Sequence, residues 1–403
     1  MSAHGSANSP TYRFWVLVML ILVAGFVQGM LLPVLSVLLE EAGVPSAING
    51  LNATALYIGI LLTSPFIEHP VRRFGYKPVI TIGVITAIVT VLLFPVWQAF
   101  WFWFVLRMLI GMGDNLIHFA TQVWITSTSS IEQRGRSLAI YGLSFGLGFG
   151  VGPLMTRLLE VNEVLPFLVT ASFSFLVWLL LLKLRNEWPT NDERTEEEAG
   201  FFSRYKAVWK LAWFALLPGF IFGYLESTIH GSYPVYAMRM DISLHWVTLF
   251  LPTFVIGSLI TQLPLGILSD RYGRKRMLML LFSSGIFVFA GMYTFEQSML
   301  GLFVLFALAG MLLGSLYSLG LMYLADLLPP RLLPTGNVMI AVSFSLGSML
   351  GPVVGGTLIE EVGEGSLYLS LGAMLFLIWT LGLFFRPDQH NNTAEKQDEF
   401  MGA

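Results

Sequence analysis

The sequence predicts an all-α integral membrane protein of twelve transmembrane helices in two six-helix bundles. Three observations predict it. Of 403 residues, 55% are hydrophobic and only 12% charged, with a mean hydropathy of +0.73, against roughly 45–50% apolar and about 25% charged in a soluble domain. Twelve apolar runs approach or exceed the ~20 residues that cross a bilayer. The two halves of the chain also repeat their glycine and proline positions at a near-constant offset.

The runs fall near residues 14–39, 48–67, 78–96, 98–122, 137–159, 164–182, 208–238, 244–268, 277–295, 298–325, 337–359 and 366–385. The first follows a short polar tail, is longer than a signal-peptide core and has no small-residue cleavage site before the next run, so it reads as a retained span. One long polar stretch, 183–210, carries the acidic run ending at Glu198 and separates the halves. The expected organisation is an N-terminal six-helix half at 1–184, a cytoplasmic linker at 185–206, a C-terminal half at 207–386 and a cytoplasmic tail at 387–403.

Orientation follows from the basic residues. With the N-terminus inside, 19 of the 22 lysines and arginines lie on the inner side; Arg157 and Arg239 lie outside, and Arg107 lies within the fourth span. The positive-inside rule then places both termini in the cytoplasm of a cell membrane of the bacterial inner or plasma-membrane type.

Other bulk features exclude. A net charge of −3 without a basic tract gives no footprint for nucleic acid. The absence of cysteine removes disulfides, thiolate catalysis and cysteine-ligated metals. His4, His69, His118, His230, His245 and His390 are scattered, and neither H-E-x-x-H nor G-x-S-x-G occurs. No enzyme, metal or cofactor is expected.

The repeat pairs Gly75 with Gly273, Gly111 with Gly310, Gly152-Pro153 with Gly351-Pro352, and Pro33 with Pro234, at offsets of 198 to 201. Parallel repeats of this kind, with a site between them near the midplane, describe a secondary transporter more readily than a channel or membrane enzyme. Interrupted helices in matching positions mark the site. The first span has Gly25, Gly29 and Pro33, the seventh Pro218, Gly219, Gly223, Gly231 and Pro234, and kinks are expected in both.

The loop after the eighth span reads Gly266-Ile-Leu-Ser-Asp270-Arg271-Tyr-Gly273-Arg274-Lys275-Arg276. It resembles the G-x-x-x-D-R-x-G-R-[KR] signature of the major facilitator superfamily, and the resemblance extends over the whole chain through span count, linker and repeat. It implies the major facilitator fold and an inner gate of Gly266, Asp270, Arg271, Gly273 and Arg274, with Asp326 at the end of the tenth span as the acid an arginine reaches. In the first-half copy, Gly59-Ile-Leu-Leu-Thr63, threonine stands where the aspartate belongs. The Glu132-Gln-Arg134-Gly135-Arg136 loop resembles another family element and offers Glu132 to Arg72 or Arg73.

Arg107-Met-Leu-Ile-Gly111-Met-Gly113-Asp114 resembles the R-x-x-x-G-x-G element of proton-linked members. In the eleventh span, Gly347, Gly351, Pro352, Gly355 and Gly356 complete the G-x-x-x-G-P-x-x-G-G antiporter element. The fifth span keeps only Gly148, Gly152 and Pro153 of it. These residues are expected to pack helices closely. The resemblance is nearest the drug:proton antiporter branch.

Arg107, Asp114 and Glu226 sit deep in spans, where a charge costs roughly 2.5–3.5 kcal/mol on insertion scales, so each is retained for function or pairing. Arg107 and Asp114 are seven residues apart and cannot bridge directly. His118 follows Asp114 by four, and His230 follows Glu226 by four, within reach along one helix turn. Burial disfavours an ionised carboxylate and a nearby cation favours it, so Asp114 and Glu226, with Arg107, His118 and His230, are the proton-coupling candidates. The alternative is a permanent structural pair. Candidate substrate-cavity groups are Gln28, Asn52, Tyr57, Asn115, Gln122, Tyr224, Tyr233, Tyr317 and Tyr323, a lining suited to amphipathic organic molecules. Together these features point to a monomeric, proton-coupled exporter of a small organic compound, its partners being that substrate, protons and lipid. Import of an organic anion held by Arg107 is the second reading, and a membrane sensor or enzyme a remote third.

Overall fold

The computed structural model describes residues 9–189, 201–363 and 365–386, the side chains of residues 131, 132, 201 and 202 excepted. Half of the linker (190–200), the 387–403 tail and the Glu132 side chain lie outside these. Among the described residues, twelve helices are long and apolar enough to cross a membrane: α1 Pro10–Glu41, α2 Ser46–Thr63, α3 Tyr76–Val96, α4 Phe100–Thr128, α5 Gln133–Glu160, α6 Leu165–Leu182, α7 Ser203–Arg239, α8 Leu244–Tyr272, α9 Arg274–Thr294, α10 Met299–Leu327, α11 Pro330–Glu361 and α12 Ser366–Phe384. The protein is an all-helical, multi-pass membrane protein.

Local chemistry sets the helix ends. The Ser9 hydroxyl accepts from the Tyr12 amide at 3.1 Å to cap α1, with Pro10 in its first turn. A short helix, Glu68–Phe74, joins α2 to α3. Gly75 and Gly273 occupy matching places in the repeat and take φ of 84° and 90° where the chain turns into α3 and α9, a region only glycine enters cheaply. Of the first and seventh spans, where kinks are expected, the seventh departs from regular helix. α1 runs as one unbroken helix through Pro33. α7 leaves helical geometry at Ala212 (φ −140°, ψ 24°) and widens to a π-turn at Thr228–Ser232, which begins two residues after Glu226.

The repeat extends to individual contacts. A Cβ built on Gly148 would lie 1.9 Å from the Leu22 carbonyl oxygen of α1, and one on Gly347 1.9 Å from the Phe220 carbonyl of α7. Likewise a Cβ on Gly111 would meet the Leu56 carbonyl of α2, and one on Gly310 the Phe254 carbonyl of α8, each at 1.9 Å. Helices therefore approach to backbone contact at equivalent places in both halves, as membrane packing through small residues allows. Gly152 abuts Gly29, Gly351 and Gly355 abut Thr228 and Ser232, and Pro153 is buried at the start of the 3-10 turn Gly152–Glu160.

The two halves meet at the end away from the linker. A Cβ on Gly50 of α2 would lie 1.9 Å from the carbonyl oxygen of Pro352 in α11, and one on Gly356 2.1 Å from that of Ser46. Arg239 Nε bonds Glu40 Oε1 at 2.7 Å, joining α7 to α1. Arg157 Nε donates to Thr248 Oγ1 at 2.8 Å, joining α5 to α8. Toward the linker the same helices separate: a Cβ on Gly135 or Gly142 of α5 would meet nothing within 4 Å, and one on Gly266 of α8 only Met322 Cε at 3.8 Å.

Candidate functional site: a central cavity between the halves

This divergence leaves a cavity of about 560 Å³ between the halves, within the range that encloses a drug-sized molecule. Its walls come from α1, α2, α4 and α5 of the first half and α7, α8, α10 and α11 of the second; α3, α6, α9 and α12 contribute nothing to it. Each wall is a run of residues one turn apart: Asp114, His118 and Gln122 on α4, Tyr141, Phe145 and Phe149 on α5, Phe222 and Glu226 on α7, Phe254, Ser258 and Gln262 on α8. One face of each helix therefore points inward.

Asp114 is held from two sides. Gln28 Nε2 of α1 donates to its Oδ2 at 2.7 Å, and His118 Nε2 stands 3.7 Å from the same oxygen. The other His118 nitrogen, Nδ1, bonds the Tyr141 hydroxyl at 2.5 Å, and Phe145 packs edge-on against the imidazole. Glu226 also faces the cavity. His230 does not engage the Glu226 carboxylate as its i+4 spacing suggests. Because the helix widens here, His230 Nδ1 bonds the Glu226 backbone carbonyl at 2.9 Å, and its buried ring packs against Phe149 and Phe254, which line the cavity.

Of the remaining sequence candidates, Tyr57, Asn115, Gln122 and Tyr317 line the cavity. Asn115 also bonds Thr63 Oγ1 at 2.9 Å, which gives a partner to the threonine that replaces the motif aspartate. Asn52 and Arg107 are elsewhere. Arg107 is fully buried and donates through Nη1 to Asn52 Oδ1 at 3.0 Å and through Nη2 to the Leu31 carbonyl at 3.4 Å, behind the cavity wall and nearer the closed end. Tyr224 turns into the second half and bonds Ser370. Tyr233 sits in an aromatic cluster with Phe250, Phe306 and Tyr368, and Tyr323 packs on Phe214 and Phe385.

At the linker end, Arg274 Nη2 bridges to Asp270 at 2.8 Å and its Nε bonds Asp326 at 2.5 Å. One guanidinium thereby ties α8, α9 and α10 together. Arg271 lies over the Tyr272 ring instead, Gly273 makes the turn, and Gly266 faces Met322. Arg72 bonds Glu68 at 2.8 Å. Sequence reasoning missed Tyr141, Phe149, Phe254 and Phe344 as wall residues, and it missed the Glu187 carboxylate, which accepts from Arg13 at 2.6 Å and Trp124 at 2.8 Å. The four-residue spacing of the aromatics on α5 was the available signal.

Two repeated six-helix halves around a cavity open at one end define a membrane carrier. The family model of the Major Facilitator Superfamily matches residues 17–257 and 242–400, and the chain belongs to this superfamily of transporters. The uncharacterized MFS-type transporter YfkF of Bacillus subtilis (strain 168) is 44% identical over 378 residues, covering 93% of this chain and 96% of the relative. The uncharacterized MFS-type transporter Ent638_1421 of Enterobacter sp. (strain 638) is 22% identical, covering 87% of this chain and 90% of the relative. Among solved structures, the nucleoside transporter NupG superposes with a TM-score of 0.76 at 14% identity, covering 92% of this chain and 99% of its own. A bacterial homolog of the human lysosomal transporter Spinster, inward-facing and unoccupied, gives a TM-score of 0.73 at 14% identity, covering 93% and 96%. The chain is a membrane transporter of the MFS type, not an enzyme.

Proposed function

We propose that this transporter exports a small amphipathic organic compound from a bacterial cell in exchange for protons, by alternating access of its two halves. The observation that carries this is the cavity, which is sealed at the end away from the linker, open toward it, and lined by Asp114 and Glu226 among aromatic walls. The division of basic residues supports a cytoplasmic linker face with both termini on that side of the plasma membrane; on this reading the open end of the cavity faces inward, as in the loading state of the cycle. Protons arriving from outside would neutralise the cavity carboxylates and favour the return of the empty carrier. For an uncharged substrate, one proton crossing 100 mV supplies about 2.3 kcal/mol, roughly a fiftyfold accumulation. Import of an organic anion loses its support because Arg107, the cation it requires, is bonded behind the wall.

The test is reconstitution into liposomes with an imposed pH gradient and a compound panel, comparing wild type with Asp114→Asn and Glu226→Gln. Gradient-driven flux is expected in wild type and lost in both variants; full flux in both overturns the coupling assignment. Reporter fusions at the two termini test their cytoplasmic placement.

A further inference from the structure

α7 begins before the membrane needs it. The chain leaves helical geometry at Ala212, and residues 213–239 alone rise about 40 Å at ~1.5 Å per residue, enough to cross a hydrocarbon core of about 30 Å. Residues 203–211 are therefore a separate helical segment at the linker end, not needed for the crossing. Its inner side is settled, because Val208 and Ala212 are fully buried and join the hydrophobic core of the second half. Its outer side carries Lys206, Trp209 and Lys210, all exposed, at the three- and four-residue spacing that puts them on one face.

The end of this segment meets the end of α12. Trp213 packs edge-on against Phe385 with ring centroids 5.4 Å apart, and Phe214 stacks on the same ring at 5.5 Å. Lys275 Nζ, from the start of α9, bonds the Phe385 carbonyl at 2.5 Å and lies over both the Phe214 and Phe385 rings. Lys210 precedes Trp213 by three residues and exposed Arg386 follows Phe385 directly, so both come to the edge that Lys275 already charges. Lys206, Lys210 and Arg386 have no hydrogen-bond or ion-pair partner among the described residues. At the linker end of the first half, by contrast, Arg13 bonds Glu187, Arg72 bonds Glu68, and Lys77 Nζ bonds the carbonyls of Leu182 and Leu184. Gathered cations repel one another unless an anion joins them. Tryptophan settles at the headgroup level of a bilayer, and basic clusters beside a span attract anionic lipid.

We propose that this edge binds the phosphate headgroup of an anionic phospholipid in the leaflet on the linker side. Lys206, Lys210 and Arg386 meet the phosphate, Lys275 holds the Phe385 carbonyl and so places Arg386, and Trp209 sits among the headgroups. Lipid is the occupant because the cations lie where α7 and α12 leave the membrane, beside exposed Trp209 and Phe384, which suit a headgroup layer and an acyl chain. The bound lipid ties the segment before the kink to the end of α12, and keeps the linker end of the second half at a fixed depth while the halves move against each other.

The experiment follows thermal unfolding of the purified full-length protein in a neutral detergent doped with phosphatidylglycerol or with phosphatidylcholine of the same acyl chains. Phosphatidylglycerol is expected to raise the melting temperature in a saturable way, and phosphatidylcholine to leave it unchanged. The double variant Lys206→Gln with Lys210→Gln is expected to need about tenfold more phosphatidylglycerol for half of the shift, the effect of removing two lysines from an anionic surface. Lys206→Arg with Lys210→Arg should respond as wild type does, and so should Lys183→Gln, which removes a lysine at the same end of the first half. Without lipid the double glutamine variant should melt with wild type, because both lysines are exposed, which shows its fold intact. Equal shifts from the two lipids, equal stabilisation by soluble glycerol phosphate, or an unchanged response of the double glutamine variant overturns the proposal. Indifference of the wild type to phosphatidylglycerol overturns it too, and points to the acidic run ending at Glu198 as the partner of the basic face.

Discussion

Arg239 and Glu40 form the ion pair, at 2.7 Å, that spans the two halves at the closed end of the cavity. The pair is partly exposed, at 33% and 14% of the side chains, so it contributes about 0.5–1 kcal/mol to closure. Its position matters more than its strength, because it exists only while α1 and α7 are together.

Neutralising it should bias the carrier toward opening at that end. The chain has no cysteine, so a single Ser46→Cys reporter, placed where Ser46 is 2% exposed beside Gly356, reads closure against no background. In Glu40→Gln, labelling of that cysteine is expected to speed up by roughly two- to fivefold, the factor that follows from the pair's energy. Charge exchange, Glu40→Arg with Arg239→Glu, should restore the slow rate.

The α2–α11 seam should be less forgiving. Gly50→Ala places a methyl group 1.9 Å from the Pro352 carbonyl, a backbone atom that cannot swing aside. Transport is expected to fall to background with expression retained, and the cysteine at position 46 to label fast. Gly135→Ala, whose Cβ would meet nothing within 4 Å, is the matched control and should transport as wild type.

Arg107 is a buried cation supported by neutral groups, Asn52 and the Leu31 carbonyl. Removing the Asn52 amide leaves the buried charge with only the longer bond to the Leu31 carbonyl, which costs more than replacing the cation by an apolar side chain of similar shape. Asn52→Leu is therefore expected to lower the melting temperature in detergent more than Arg107→Met. A hydrogen bond to a charged group is worth about 1.5–3 kcal/mol, and the thermal ramp should register that difference between the two variants.

The Arg274 cluster joins three helices of one half at the linker end. Both acids are more than half exposed, at 60% and 52%, so Arg274→Ala should cost only about 1 kcal/mol. The fork bonds two acids at once, which a lysine cannot reproduce; Arg274→Lys should recover less than half of the loss in the same melting experiment.

The span count, the repeat and the halves' equivalence were legible because twenty-residue apolar runs and matching glycines are written directly in the chain. Which face of each helix turns inward was not. Lipid and protein interior are equally apolar, so a membrane helix carries little of the polar-to-apolar asymmetry that marks a soluble one. Gln28 and Asn52 look alike in sequence, both lone amides in apolar runs, yet one holds Asp114 at the cavity and the other holds Arg107 behind it. Tyr57 and Tyr233 divide the same way, the first on the wall and the second in an aromatic core. His230 misled for a different reason: the four-residue rule assumes α-helical pitch, and the π-turn at Thr228–Ser232 rotates that ring away from the Glu226 carboxylate.

The backbone seam at Gly50 and Gly356 also bears on how tightly the cycle is geared. A gate made of side chains can yield by turning one torsion and let a proton slip past without cargo. Two main chains in contact offer no such soft element; they part only when one half moves as a rigid body. Under the proposed proton exchange, such a seam would suppress futile proton leak, and variants that turn over protons without cargo are expected to map to positions 50 and 356.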